Sequence, residues 1–201
     1  TAVYADIEHD VTDRVLIQYA ARYENFSDFG GTLNGKLAAR FRINDSFALR
    51  GAISTGFHAP TPGQSNVSTI ITTFDGMTGL QVEEGLLPVG HPQAQAAGAT
   101  ALTEEKSLNI SAGFTADIGD NWTITGDIYQ IEVDDRIYRT GDIPVPALPT
   151  DPPGLPARSV SFYTNALDVE HTGFDLIVNG NFEMGSASDL DITFAYAFAE
   201  T

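Results

Sequence analysis

Strict two-residue alternation is the feature that most narrows what this chain can fold into. From Val15 one parity reads Val15, Ile17, Tyr19, Ala21 and Tyr23, while the other reads Leu16, Gln18, Ala20, Arg22 and Glu24. The next segment repeats the pattern, with Leu33, Gly35, Leu37, Ala39, Phe41 and Ile43 against Asn34, Lys36, Ala38, Arg40 and Arg42. A period of two means strands with one apolar and one polar face. The polar parity carries arginine and lysine, which a dry sandwich interior does not hold, so it is expected to line a wet space. An apolar outside around a wet inside is the inverted plan of a membrane-spanning β-barrel.

The pattern predicts strands over residues 2–9, 14–24, 32–43, 47–57, 106–118, 122–138, 160–182 and 189–199. Short turns are expected near 11–13, at Asn44-Asp45-Ser46, at Gly119-Asp120-Asn121 and over 185–188. The first three-residue turn would pair Ile43 with Phe47 and Arg40 with Arg50, and the second Ile118 with Trp122. Between the short turns lie longer connections at 25–31, 58–104 and 139–159, so short and long ends alternate along the chain, as in barrels with brief periplasmic turns and large extracellular loops. No proline falls in a predicted strand, although the chain has ten, and proline cannot donate to a ladder. Phe47 and Trp122 open strands after short turns, whereas Tyr19, Tyr23, Tyr138 and Phe162 lie toward the long-loop ends, as two interfacial girdles would require. One strand departs from the scheme. Trp122, Ile124, Gly126 and Ile128 share a parity, but the next apolar residues, Tyr129, Ile131 and Val133, lie on the other, which calls for either a bulge near residues 128–130 or a strand that has left the apolar layer.

Composition removes several alternatives. A formal charge of −17 over 201 residues argues against a nucleic-acid partner, which needs a basic face. The absence of cysteine removes disulfides, thiolate metal sites and cysteine nucleophiles. No run of about 18 apolar residues is present, so no transmembrane helix is expected, while a barrel strand needs only about 9–11 alternating residues.

Residues 21–64 resemble the barrel of TonB-dependent outer-membrane receptors. The matching features are an aromatic-rich strand, the Ser27-Asp28-Phe29-Gly30 loop, a basic strand, and the run Leu49-Arg50-Gly51-Ala52-Ile53-Ser54-Thr55-Gly56-Phe57-His58-Ala59-Pro60 that enters a long loop, with His58 where the family often has arginine. Further resemblances are Leu102-Thr103-Glu104-Glu105-Lys106-Ser107, with Thr-Glu in place of the usual proline; Asp127-Ile128-Tyr129-Gln130-Ile131 followed by Asp135-Arg136-Ile137; and Asn165 followed by Thr172-Gly173-Phe174-Asp175-Leu176. The resemblance implies an all-β, antiparallel, up-and-down fold: residues 1–201 would be a partial barrel domain, about eight strands of a barrel of about 22. The plug domain, the TonB-binding segment and the C-terminal strands would lie outside this chain. It further implies a receptor in the bacterial outer membrane, in contact with its lipid, that imports a scarce small or mid-sized solute of the siderophore, cobalamin or oligosaccharide type, energised through TonB. The competing readings are a soluble secreted β-domain that binds carbohydrate, and an unplugged porin-like channel.

The basic row Arg22, Lys36, Arg40, Arg42 and Arg50 is expected to face the lumen, where it would dock acidic plug residues, guide an anionic ligand, or pair with barrel carboxylates such as Glu24. Arg40 directly opposite Arg50 needs an anion nearby. The 58–104 connection is longer than a structural link requires. Its His58, Gln64, Asn66, Phe74, Asp75 and His91 are the candidate ligand contacts, with capping of the barrel mouth as the alternative role. Four histidines without ligand spacing predict no metal site, and the adjacent acidic pairs would point to opposite faces of a strand. With no nucleophile-and-base constellation and no phosphate loop, neither enzymatic activity nor a cofactor is expected.

Overall fold

The computed structural model describes residues 1–26, 30–74, 76–77, 79, 81–145, 159–185 and 188–201. The chain forms β1 (Ala2–Thr12), β2 (Val15–Phe26), β3 (Gly30–Asn44), β4 (Phe47–His58), α1 (Pro62–Asn66), β5 (Thr69–Phe74), β6 (Gln81–Leu86), α2 (Pro92–Ala96), β7 (Glu105–Ile118), β8 (Trp122–Arg139), β9 (Ile143–Pro144), β10 (Ser159–Ser161), β11 (Tyr163–Glu183) and β12 (Asp189–Glu200). These fall into two compact units, one of residues 1–57, 106–133 and 169–201, the other of residues 58–105 and 134–168.

In the larger unit an eight-stranded sheet runs in the order β1-β2-β3-β4-β7-β8-β11-β12. Each strand lies beside its sequence neighbour once the long connections are set aside, so the up-and-down order expected from alternation is the order found. Registers keep like with like. Val3, Tyr23 and Leu33 lie in one cross-strand row, and Ile7, Tyr19, Leu37 and Ile53 in another. At the far edge Phe174 pairs with Phe198, Leu176 with Tyr196 and Val178 with Phe194. A one-residue slip would turn either set to the opposite face, which is why the apolar pattern fixes the register so firmly.

The turns differ in detail from expectation. Asn44 pairs with Phe47, the register shifts between Arg42 and Asn44, and Ile43 becomes the extra residue of a bulge. Asn44 Oδ1 accepts from the Ser46 amide at 3.0 Å, a side-chain turn that stabilises the tighter two-residue connection. Beyond the bulge Arg40 lies opposite Arg50, as expected. The first turn is built likewise, with Thr12 opposite Val15 and the Thr12 hydroxyl accepting from the amides of Arg14 and Val15. At the third turn the Thr123 hydroxyl donates to Asp117 across the hairpin at 2.8 Å. At the fourth, Glu183 pairs with Asp189, and its tip residues 186–187 lie outside the described residues.

The parity change in β8 occurs without a break between Trp122 and Tyr129. Gly180 leaves room for the Trp122 ring and Gly173 for the Tyr129 ring. Both pairs are separated by seven residues on each strand, so β8 and β11 stay in register through this stretch. Asp135 has a φ of 55°, the only positive value for a non-glycine residue among those described, and marks a distortion further along the strand.

The smaller unit replaces two expected loops with structure. Its four-stranded sheet has the order β5-β6-β10-β9. The segment expected as one strand over 160–182 is divided: Ser159–Ser161 pairs in parallel with β6 and antiparallel with β9, whereas Tyr163–Glu183 belongs to the large sheet. Phe162, between them, is not a girdle residue but is 3% exposed in a core with Leu87, Ala94 and Val160. Periodicity does not reveal this unit because β9 and β10 are only two and three residues long and the six residues of β5 and of β6, Thr-Ile-Ile-Thr-Thr-Phe and Gln-Val-Glu-Glu-Gly-Leu, do not alternate. Proline is placed as its chemistry demands: Pro62 and Pro92 open the helices, and Pro144 sits in the outermost strand of the small sheet. Most of the proline-rich stretch, 146–158, lies outside the described residues.

Candidate functional site

The polar face of the large sheet places Arg22, Lys36, Arg40, Arg42 and Arg50 on one side through alternation and register alone. Arg22 pairs with Glu24 two residues along its own strand, at 2.8 Å. Arg50 reaches Asp127, with Nε 2.9 Å from Oδ1 and a terminal nitrogen 2.5 Å from Oδ2. This is the forked geometry that makes an arginine–carboxylate pair directional. The other terminal nitrogen donates to the Thr115 hydroxyl at 3.4 Å.

Arg50 is on β4 and Asp127 on β8, with β7 between them in the sheet. Gly113 of β7 makes the pairing possible: a Cβ there would run into the Asp127 carboxylate and the Gly126 carbonyl. Asp127 thus supplies an anion to Arg50, one strand further away than the hairpin itself suggests, but makes no hydrogen bond or ion pair with the opposed Arg40. Alternation contained the signal, since Asp127 is the one acidic side chain of its parity in β8 before Asp135, but which strands are neighbours became readable only once the 58–104 connection was set aside.

Lys36, Arg40 and Arg42 make no ion pair among the described residues. A concavity of about 320 Å³ lies on this face beside Lys36, Arg40 and Arg50 and is floored by small residues, among them Ala38 and Ala52. Its chemistry suits a carboxylate or another anion, because the fixed cations outnumber the fixed anions around it.

The loop candidates divide by what their polar atoms already do. Gln64 completes a capping box with Thr61 at the start of α1, and the Asn66 amide donates to the Pro62 carbonyl at 3.0 Å. His91 caps α2, its Nδ1 accepting from the Gln93 amide at 3.2 Å. His58 is exposed, its Nδ1 3.9 Å from a Glu105 oxygen, while the other Glu105 oxygen accepts from the Ile137 amide at 2.9 Å. Phe74, at the end of β5, is 71% exposed. Asp75 lies outside the described residues. The side chains of Gln64, Asn66 and His91 are thus engaged in closing short helices.

The unit has one junction that sequence motifs hinted at separately. The Asn165 side chain accepts from the Thr103 amide at 2.9 Å and donates to the carbonyls of Thr103 and Asp135 at 3.0 and 2.6 Å. Asp168 accepts from the Asp135 amide at 3.1 Å, which holds the unusual backbone there. Three segments far apart in the sequence thus meet at one amide.

These features agree with the comparisons. The family model described as "TonB dependent receptor-like, beta-barrel" matches residues 1–201. No protein of curated function matches the sequence. Among solved structures the chain is similar to the siderophore receptor PirA from Pseudomonas aeruginosa, with 17% identity and a TM-score of 0.67 over 98% of this chain and 34% of that one. It is similar to a point mutant of the ferric enterobactin receptor PfeA from the same organism in complex with enterobactin, with 12% identity and a TM-score of 0.71 over 98% and 26%. It is also similar to the RagAB peptide importer, with 13% identity and a TM-score of 0.65 over 98% and 21%. The chain therefore spans about a third or less of the length of these proteins. An up-and-down sheet with one apolar and one charged face, matched from end to end by the family model, is a run of barrel wall, and the chain belongs to the TonB-dependent receptor β-barrel family.

Proposed function

We propose that this chain forms part of the wall and part of the mouth of a bacterial outer-membrane receptor that takes up a scarce solute with energy delivered through TonB. The observation that carries the reading is the division of the large sheet. One face presents Val3, Tyr19, Leu33, Leu37, Phe41 and Ile53, each at least 43% exposed, while the other carries the Arg22–Glu24 and Arg50–Asp127 pairs. Such a sheet separates hydrocarbon from water. On this reading Lys36, Arg40 and Arg42 face the lumen, where they receive acidic groups of a plug domain or of a passing anionic solute.

The smaller unit stands at the extracellular side and captures solute, with His58 and Phe74 as the contact residues whose side chains are exposed. Siderophores are the first class to test, since receptors of similar fold bear that description, ahead of cobalamin and oligosaccharides. The experiment is uptake of radiolabelled ferric siderophores, cobalamin and oligosaccharides by cells expressing the full-length protein, with and without a functional tonB gene. Saturable uptake of one class that disappears without TonB supports the reading. Non-saturable flux of many small solutes that persists without TonB identifies an open channel instead.

A further inference from the structure

We propose that the open edge of β5 receives an extended polypeptide segment of alternating apolar and basic side chains as an added strand. Among the described residues β5 is the outermost strand of the small sheet and pairs with β6 on one side only. In an antiparallel pair every second residue directs its N–H and C=O away from the partner, so β5 presents a row of donors and acceptors at strand spacing. Another polypeptide strand matches such a row, whereas a chelate, a sugar or a lipid chain does not.

Exposed edges in soluble structures are normally protected by lysine, proline, a bulge or extreme shortness. β5 reads Thr-Ile-Ile-Thr-Thr-Phe, with no charge and no proline, and pairs with β6 from Thr69–Leu86 to Phe74–Gln81 without a register shift. Ile70, Ile71 and Phe74 are 42%, 54% and 71% exposed. The charge preference comes from the neighbouring strand, where Glu84 lies opposite Ile71 and Glu83 opposite Thr72, one on each face of the sheet. These carboxylates stand two strands from an added strand and act on it through a negative potential on both faces, to which the chain's charge of −17 adds. The inference concerns main-chain pairing and does not depend on which solute is imported.

The test uses the full-length receptor in detergent or nanodiscs and a fluorescein-labelled synthetic peptide of alternating lysine and valine. Its comparators are a glutamate–valine peptide and a lysine–valine peptide N-methylated at alternate residues, which keeps charge and side chains but removes one edge of donors. The expected result is saturable binding of the lysine–valine peptide, weakened roughly tenfold or more in each comparator. This chain has no cysteine, so with any cysteine elsewhere in the full-length receptor changed to serine, Thr72→Cys places a single thiol on β5 for disulfide trapping of a cysteine-bearing lysine–valine peptide. Trapping at that position supports the proposal. Binding indifferent to N-methylation, trapping only at other sites, no binding at all, or Thr72→Cys joining two receptor copies in place of the peptide would each overturn it.

Discussion

The two units solve the problem of apolar surface in opposite ways. In the smaller unit Leu87, Ala94, Ile137, Val160 and Phe162 are buried, and these are all the buried hydrophobic side chains among the described residues. Among the described residues of the larger unit no apolar side chain is buried to that degree. One unit makes its own dry interior from side chains. The other leaves its apolar face exposed, which on the proposed function is turned to an external solvent, the bilayer. The same residue types therefore mean different things in the two places: Leu87 is core, and Leu37 is contact surface.

The sharpest way to break this contrast is Leu87→Ala. Truncating a fully buried leucine costs about 2–5 kcal/mol, which is expected to unfold much of the smaller unit. The measurement is limited proteolysis of the full-length protein, with cleavage expected within residues 58–104 while the heat-modifiable band of a folded barrel on gels is retained. Loss of the barrel band as well would mean that the sheet depends on that core.

Next in size is Leu37→Arg against Gln18→Arg. A charge on the lipid face costs about 2–4 kcal/mol near the bilayer midplane and little on the lumen face. Denaturant titration of the refolded barrel in lipid should therefore show a clear loss for Leu37→Arg and a shift under about 1 kcal/mol for Gln18→Arg, which stands opposite Glu8 on the polar face. Equal effects would remove the assignment of faces.

The smallest expected effect sharpens the polar side. Gly113→Val places carbon where the Asp127 carboxylate now sits, which separates Arg50 from its partner and strains the strand by about 1–3 kcal/mol. Arg50→Ala combined with Gly113→Val should be less than additive, because both break one arrangement. Full additivity in the same denaturant titration would mean that the glycine serves backbone packing and not the ion pair.

How much of this was legible beforehand follows the same division. All eight long strands and the Arg40–Arg50 opposition were readable, because a sheet with two different solvents must repeat its pattern over many residues. The Arg22–Glu24 pair was also readable, being i and i+2 on one strand. Asp127 as the partner of Arg50 was not, since it depends on which strands become neighbours across a long connection. In the smaller unit almost nothing was legible beyond length. A three-residue strand such as Ser159–Ser161 has no period, and its pairing with Glu84–Leu86 is a fact of tertiary structure. His91 and Gln64 read from sequence as polar residues in a long connection, yet their polar atoms close helix ends. The chemistry that makes histidine and glutamine good ligands makes them good caps, and sequence composition does not separate the two.

The parallel pairing of β6 with β10 carries a consequence for the order of assembly. Glu84 and Ser159 are separated by 75 residues (159 − 84) and lie in different connections. Closing so long a loop in a free chain is entropically expensive and slow relative to a hairpin. Once β7 and β8 have joined the sheet, the intervening chain is already folded back on itself and the remaining search is short. The small sheet is therefore expected to form late, with β6 and β10 gaining amide protection in pulsed hydrogen exchange only after the strands between them. On that expectation the exposed edge of β5 has its full small sheet behind it only in chains whose wall has already formed.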